Sequence, residues 1–498
     1  MRSHRAAIAG AATLLALAAV VVPAVGSAGS CNTDWPMFQH DASRTASTTC
    51  TDIATVTAPT LAPAWFLKTD GAVTAEPAIV GGSVFVGDSA GIFRAVDLAA
   101  GTQNWSFDIA NNAVHDDQHQ PSYGGVTSSA AVAGVPSLGR TVYFGGGGTV
   151  YAVDAATGKP RWATDIDPAS PKSSAEVESS PVVWTRANGN SVVFVGMDTN
   201  EDKGVVDGGV VALNATTGAL LWKYDADSNT VVNSLTANAT NGTGCGDIWT
   251  SPSLDLQRGL LFFGGGNCNL PDGTDTQRLI AISATGGNPV WQFYEPAANH
   301  SMDNDFGAAP ILTHVHGNDV VVQPGKSGWV YVLDRATGGK RYFAQYHLAD
   351  GGDIGGFIAS AAVATIGGDP VFFGDSSVPV HTDGSVDTSI TGNPAGITSL
   401  HALDLATGAI TWQEPAQTPS YAPTTVAGGV VFAPDTTEFS VKAFDGATGV
   451  PLWQLPIGAA TAGGTAISGD NVVVGVGTFF SNNLPPQLTG IWCFRPGG

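Results

Sequence analysis

Short runs of alternating apolar and polar residues recur along the whole chain, each closing on the same kind of turn. AVDAATGKPRW, from Ala152 to Trp162, shows the unit most clearly. It returns as AVDLAAGTQNW from Ala95, ALNATTGALLW from Ala212, AISATGGNPVW from Ala281, VLDRATGGKRY from Val332, ALDLATGAITW from Ala402 and AFDGATGVPLW from Ala443. A period of two puts every second side chain on one face, so the alternating half of each copy reads as a β-strand. The Asp/Asn/Ser-x-x-Thr-Gly half turns the chain, its glycine supplying a positive φ, and the terminal aromatic opens the next strand. Copies begin 41 to 70 residues apart, which is room for one four-stranded sheet each. Such spacing predicts a β-propeller in which the aromatic docks one blade on its neighbour.

A second repeat marks the first, innermost strand of the blades: VTAEPAIV from Val73, VTSSAAVA from Val126, VESSPVVW from Val177, IWTSPSLD from Ile248, FGAAPILT from Phe306 and FIASAAVA from Phe357. AWFLKT from Ala64 has the character of the outer strands, and GIWCF from Gly490 that of a strand preceding a turn. Each supplies what the other lacks. The expected fold is therefore all-β, an eight-bladed β-propeller of four-stranded antiparallel blades, closed by the N-terminal strand joining the C-terminal blade. Closure removes the free sheet edges. Insertions at Asn111–Tyr123, Asp198–Gly208, Thr230–Gly246, Asn267–Gln277, Glu295–Asp305 and Val378–Ala395 interrupt the rhythm. In a repeat fold such insertions gather on one functional face.

The pattern divides the chain into residues 1–28, 29–60 as a lead-in and 61–498 as the propeller. Arg2 and Arg5, the apolar run Ala6–Val25 and the small residues Gly26-Ser27-Ala28 read as a secretory signal, and imply a secreted or periplasmic protein. No later stretch is apolar enough to span a bilayer. The net charge is −22, or about −24 once the signal is removed, which argues against nucleic acid and anionic membranes as partners. Five cysteines in an exported chain imply two disulfides and one left over. Cys31 with Cys50 and Cys245 with Cys268 are the sequence-local pairs, leaving Cys493, although Cys493 could instead tie down the N-terminal segment. No CxxCH occurs, so no c-type haem is built in.

Unusual residues at the channel-facing positions are the site candidates. Glu178 and Trp249 stand where other first strands carry Thr or a small residue. A carboxylate or an indole on a crowded channel wall needs a partner or a ligand. HDDQH, with His115, Asp116, Asp117 and His119, clusters metal-ligating types, but no helix fixes its spacing and it reads as a solvated acidic loop.

The docking repeats, with WPMFQHD from Trp35, DIWTSP from Asp247 and NDFGAAP from Asn304, resemble the pyrroloquinoline-quinone (PQQ) dependent alcohol dehydrogenase superfamily, above all its polyvinyl-alcohol-dehydrogenase-like members. The resemblance extends over essentially the whole mature chain. It implies that Glu201, ending GMDTNE, and Asn267, ending FFGGGN, ligate calcium. Trp249 would be the indole floor under the quinone, and Lys326, in QPGKSGWVYVLDRATG, would bond the quinone oxygens. Glu178 joins these two as a cofactor-binding candidate. Asp305 would be the base and third calcium ligand, with Asp303 the base if the register slips.

That set of residue types suits the chemistry. Calcium takes several hard oxygens, and one Glu, one Asp and one Asn amide leave room for a cofactor's own donors. A metal and a buried lysine both polarise a carbonyl, and a carboxylate can take a hydroxyl proton. The sequence also departs from the family. It has no adjacent cysteine pair, Asn304 replaces the Trp usual before the base, and no matching Arg occurs between Asn111 and Val126. With no haem domain, the resemblance implies a small-molecule or polymeric alcohol as substrate and a separate electron acceptor such as a cytochrome c. The other class of function is a non-catalytic propeller that scaffolds protein interactions. Convergence of the candidate residues at the channel mouth separates the two.

Overall fold

The computed structural model describes residues 31–199, 208–236, 246–266, 277–295, 305–349, 356–376, 399–415, 420–436, 438–478 and 488–497. The chain divides into Met1–Asn32, of which only the last two residues are described, and Thr33–Gly498. The second unit is the propeller. Eight antiparallel sheets follow one another, the first made of Ala78–Val80, Ser83–Gly87, Ile92–Asp97 and Gln103–Asp108. The eighth is the split one. Leu61–Lys68 pairs with Gly490–Pro496, Phe66 opposite Trp492, so the N-terminal strand closes the ring as expected.

Aromatic docking explains why the turn repeats. Trp105 lies against Gly158 of the next blade, whose φ is +68°, and an added Cβ there would sit 2.5 Å from the indole. A side chain at this glycine is excluded twice, by the left-handed backbone and by the ring. The indole Nε1 then donates to Ala155 O at 3.1 Å, a carbonyl of the same turn. Trp65 on Leu98 O, Trp162 on Ala215 O, Trp291 on Arg335 O and Trp412 on Gly446 O repeat the contact.

One copy departs from the expectation. In VLDRATGGKRY the docking ring is not Tyr342 but Tyr346, which packs on Gly408 and donates to Leu405 O at 3.4 Å. Elsewhere the aromatic pairs with the first residue of its repeat across a β-bulge, as Trp162 does with Ala152. Here Val332 faces Ala344 with no bulge, so the outer strand has slipped by two residues. The second positive-φ glycine, Gly339, lengthens the turn and carries the aromatic past its place.

Residues 35–52 reach all eight blades. Trp35 pairs with Ile79 in both directions at 2.7 Å, and the carbonyls of Pro36, Ala42, Ser43, Thr45 and Ala46 accept from Val132, Leu254, Leu312, Val363 and Val426. Asp52 N donates to Gly469 O. The buried Arg44 guanidinium donates to the carbonyls of Phe38, Ser180, Pro181 and Pro252. WPMFQHD is thus the start of a floor across the channel. Leu254 and Leu312 lie five residues beyond Trp249 and Gly307, so this floor lies further along the innermost strands than the candidate site.

Cys31 and Cys50 are disulfide-bonded, matching the local pairing. Cys493 is a buried free thiol. Cys245 and Cys268 lie outside the described residues.

Candidate functional site

Every described sequence-derived candidate falls on one of two connections: between a blade's last strand and the next blade's first, or between a blade's second and third strands. In an antiparallel blade these connections share one end. Glu178, Trp249 and Asp305 precede the first strands beginning at Val182, Ser253 and Ile311. Lys326 follows the second strand Asn318–Pro324. The insertions seen in the sequence fall in chain order between the strands joined by the same two kinds of connection, and most of their residues lie outside the described ones. Part of one, Thr230–Val232, is a fifth strand on Lys223–Asp225.

Lys326 and Asp305 form the centre. Lys326 Nζ is 2.8 Å from Asp305 Oδ1, with both side chains nearly solvent-free. The Lys326 backbone N–H also donates to Asp305 O at 3.0 Å, which ties the two connections together. A buried ion pair held at both backbone and side chain has little freedom to reorient. The ammonium lies 5.2 Å from the centre of the Trp249 ring, a cation–π distance. Room for the indole comes from two glycines: a Cβ at Gly307 would come within 2.1 Å of its six-membered ring, and one at Gly266 within 2.6 Å of its Nε1.

Acid groups crowd the other side. Burial, together with the charges of Glu176, Asp198 and Asp247, holds the Glu178 carboxyl well above its ordinary range, against the opposing pull of Lys326. Glu176 and Asp198 are locked together by two backbone hydrogen bonds of 2.8 and 3.1 Å. Asp247 accepts from the Thr199 N–H and hydroxyl, at 2.8 and 2.7 Å. Four carboxyl groups converging from three connections of two neighbouring blades repel one another, and a cation among them relieves that repulsion. Beyond Asp305, Glu295 accepts from the hydroxyls of Ser327 and Tyr331. Burial, with a smaller push from Asp305, raises it to about 7. Tyr123 and Tyr421 also face this space. Burial raises each phenol to about 12, with Glu178 adding to the effect at Tyr123 and Lys326 opposing it at Tyr421.

The structure thus brings Glu178, Trp249, Asp305 and Lys326 to one place. Glu201, Asn267 and Asp303 lie outside the described residues. Among the described residues no three His, Cys, Asp or Glu side chains close on a common metal point. The residues missed by sequence reasoning are Glu176, Asp198, Asp247, Glu295, Tyr123 and Tyr421. Asp198 and Asp247 stand inside motifs already singled out, GMDTNE and DIWTSP, and were legible there.

HDDQH is only in part the solvated loop expected: Asp116 and Gln118 are exposed, whereas Asp117 and His119 are buried. The His119 side chain is fully buried, with Nδ1 3.4 Å from Asp117 Oδ1 and Nε2 3.7 Å from Asp165 Oδ1. Asp165, at the end of its blade's outer strand, draws the loop in, and His115 approaches the same carboxylate at 3.7 Å.

Comparison with known proteins places this geometry in context. Residues 35–342 match the family model for the glucose/ethanol/alcohol dehydrogenase β-propeller domain, and residues 377–484 match that for the outer membrane protein assembly factor BamB. A polyvinylalcohol dehydrogenase of Sphingopyxis sp. is 26% identical over 393 residues, covering 72% of this chain and 55% of that protein. A quinohemoprotein alcohol dehydrogenase of Pseudomonas putida is 27% identical, over 56% of this chain and 40% of its own length. The chain therefore spans about half the length of these relatives. Among solved structures, the quinohemoprotein alcohol dehydrogenase of Comamonas testosteroni superposes with a TM-score of 0.72 at 19% identity, covering 94% of this chain and 81% of that one. A europium-containing methanol dehydrogenase gives 0.73 at 19% identity, covering 93% and 98%.

Proposed function

Since this chain belongs to the glucose/ethanol/alcohol dehydrogenase β-propeller family, we propose that it is a PQQ- and calcium-dependent dehydrogenase that oxidises an alcohol, secondary or polymeric, outside the cytoplasm. A separate acceptor such as a cytochrome c takes the electrons. The observation that carries this reading is the buried Lys326–Asp305 pair lying against the Trp249 indole. Similarity to polyvinylalcohol dehydrogenases supports the substrate class.

The residues fit the cofactor and the ion. A flat indole framed by glycines offers a wall for a planar ring system, and the adjacent ammonium offers a donor to its oxygens. The surplus of carboxyl groups beside it suits a hard cation. Glu201, Asn267 and Asp305 are the oxygen donors assigned to calcium. PQQ, when bound, supplies the hydride acceptor.

The chain's own part is proton handling and positioning. Asp305 accepts the substrate's hydroxyl proton, and Lys326 at 2.8 Å keeps its carboxylate ionised until then. Burial of both groups excludes water and strengthens every charge interaction at the reacting centre.

Titration of the purified protein with PQQ and calcium, followed by tryptophan quenching and alcohol-dependent dye reduction, tests the reading. Calcium-dependent quenching is expected. Asp305→Asn, which keeps an oxygen donor for the ion but not the base, should keep it while losing dye reduction by about a hundredfold or more, and Asp303→Ala should lose far less. No quenching would overturn the enzyme and leave the scaffold reading, which the match of residues 377–484 to an assembly factor favours. Quenching with no turnover would mean a quinone binder without the chemistry.

A further inference from the structure

The repeats of this chain can be compared with one another, and one position stands out. Four residues beyond the one that pairs with the Asp, Asn or Ser of the turn motif, the second strand carries Gly87, Gly145, Gly196, Gly264, Pro324 and Pro434 in six blades. In the blade ending at Ile410–Pro415 the same position is Asp375. The glycines are needed because the next blade's first strand packs there: a Cβ on Gly87 would meet Val126, and one on Gly145 would meet Val177. Asp375 occupies this seam with a side chain that is 7% exposed. Its Oδ1 has no hydrogen-bond partner among the described residues.

Asp375 lines a cavity of about 320 Å³ between this blade and the next. The volume is at the small end of the range for ligand pockets, ~300–1,000 Å³. Asp435 and Lys442 approach from the facing blade, paired at 3.3 Å, and Lys442 also holds Glu438 at 2.7 Å. That pair is ordinary for the fold, since Arg94 and Asp88 make its equivalent in the first blade. Asp375 differs in that its Oδ1 is left without a donor, although the Ser376 backbone N–H reaches the carboxyl. Glu414 and Gln454 line the rim, and Leu400 and Phe444 give an apolar wall.

We propose that this seam is a second ligand site, which takes the hydroxyl-bearing edge of a polyol or sugar with Asp375 as its anchoring hydrogen-bond donor. A hydroxyl both donates and accepts, and the cavity offers both kinds of partner: a carboxylic acid and an ammonium that donate, and carboxylates and an amide oxygen that accept. Carbon-bound hydrogens of the ligand meet Leu400 and Phe444. The surplus of acid groups turns away anions. Burial, reinforced by Asp435 and opposed by Lys442, pushes the Asp375 carboxyl up to about 8, so it holds its proton at neutral pH. The site lies at the end of the ring that carries Lys326, because both Asp375 and Lys326 mark the end of a second strand.

The test needs no cofactor, so its failure is separate from failure of the dehydrogenase reading. Sorbitol and 1,4-diaminobutane are titrated calorimetrically into the full chain, at about pH 6 and about pH 9.5, on either side of the Asp375 transition. Sorbitol should bind at the lower pH and weaken by about tenfold at the higher, the worth of one hydrogen bond. Asp375→Ala should weaken it by a similar factor at the lower pH. Asp375→Asn, which keeps a donor and the shape of the side chain, should bind to within about threefold and lose the pH dependence. Thermal midpoints of the variants establish that they are folded. Absence of sorbitol binding, equal binding by Asp375→Ala, or diamine bound better than sorbitol at the higher pH would each overturn the proposal.

Discussion

Asp305 and Lys326 are informative singly only because each sits in a motif; their chemistry comes from being 2.8 Å apart, 21 positions apart in sequence. Trp249 was legible for a different reason, as an indole where sibling repeats carry Thr74, Thr127 and Gly307. Glu176 was not, because an acid in a loop is usually solvated; Asp198 and Asp247 stood inside motifs already singled out, but nothing local says that the three loops converge. Glu76 makes the same point on the channel axis. It accepts from Trp35 Nε1 at 2.7 Å and from the Gln39 N–H and amide at 2.8 and 3.0 Å. Burial nevertheless raises it to about 7, with these donors and Arg44 opposing. The folded chain therefore holds a proton that the unfolded chain releases near pH 4.5, and stability falls as pH rises from about 4.5 to about 7. Thermal midpoints measured across that window should decline more steeply for the wild type than for Glu76→Gln; parallel curves would refute the assignment.

Elements are where the repeat was most predictive, and where its one error is instructive. The turn glycines fold as expected because backbone handedness is a local property. Docking is not local. Tyr342 holds the place of the tryptophan in the sequence, but the longer Gly338-Gly339 turn shifts the outer strand by two residues, which puts Ala344 in the tryptophan's register, and Tyr346, two residues further on, is the ring that reaches Gly408. Tyr346→Ala should therefore destabilise by about 3 kcal/mol or more, and Tyr342→Ala by clearly less. Denaturant midpoints of the two variants decide it, and the reverse order would return the docking role to Tyr342. Gly158→Ala should cost at least ~1–2 kcal/mol from the left-handed backbone alone, before the Trp105 ring is displaced.

At the scale of the whole molecule, the ring is closed at its seam by Leu61–Lys68 and held across its axis by residues 35–52. Arg44 is central to the second device, since its guanidinium satisfies four carbonyls from three parts of the chain. Arg44→Ala leaves those carbonyls buried without a donor and should cost about 3 kcal/mol or more. Unfolding should stay a single transition, shifted down by several degrees; an unchanged midpoint would mean the floor is not stabilising. The sequence by itself determined the blade count, the seam and the strand order, because alternation, turn chemistry and repeat length act over a few dozen residues and are written in order. It determined four candidate site residues that do meet. Tertiary structure alone decided that WPMFQHD begins a floor, that part of HDDQH is drawn inside by Asp165, and that Asp375 lines a cavity in place of a glycine. Those outcomes depend on which blade lies next to which, and only the closed ring brings residues from distant repeats within a few ångströms of one another.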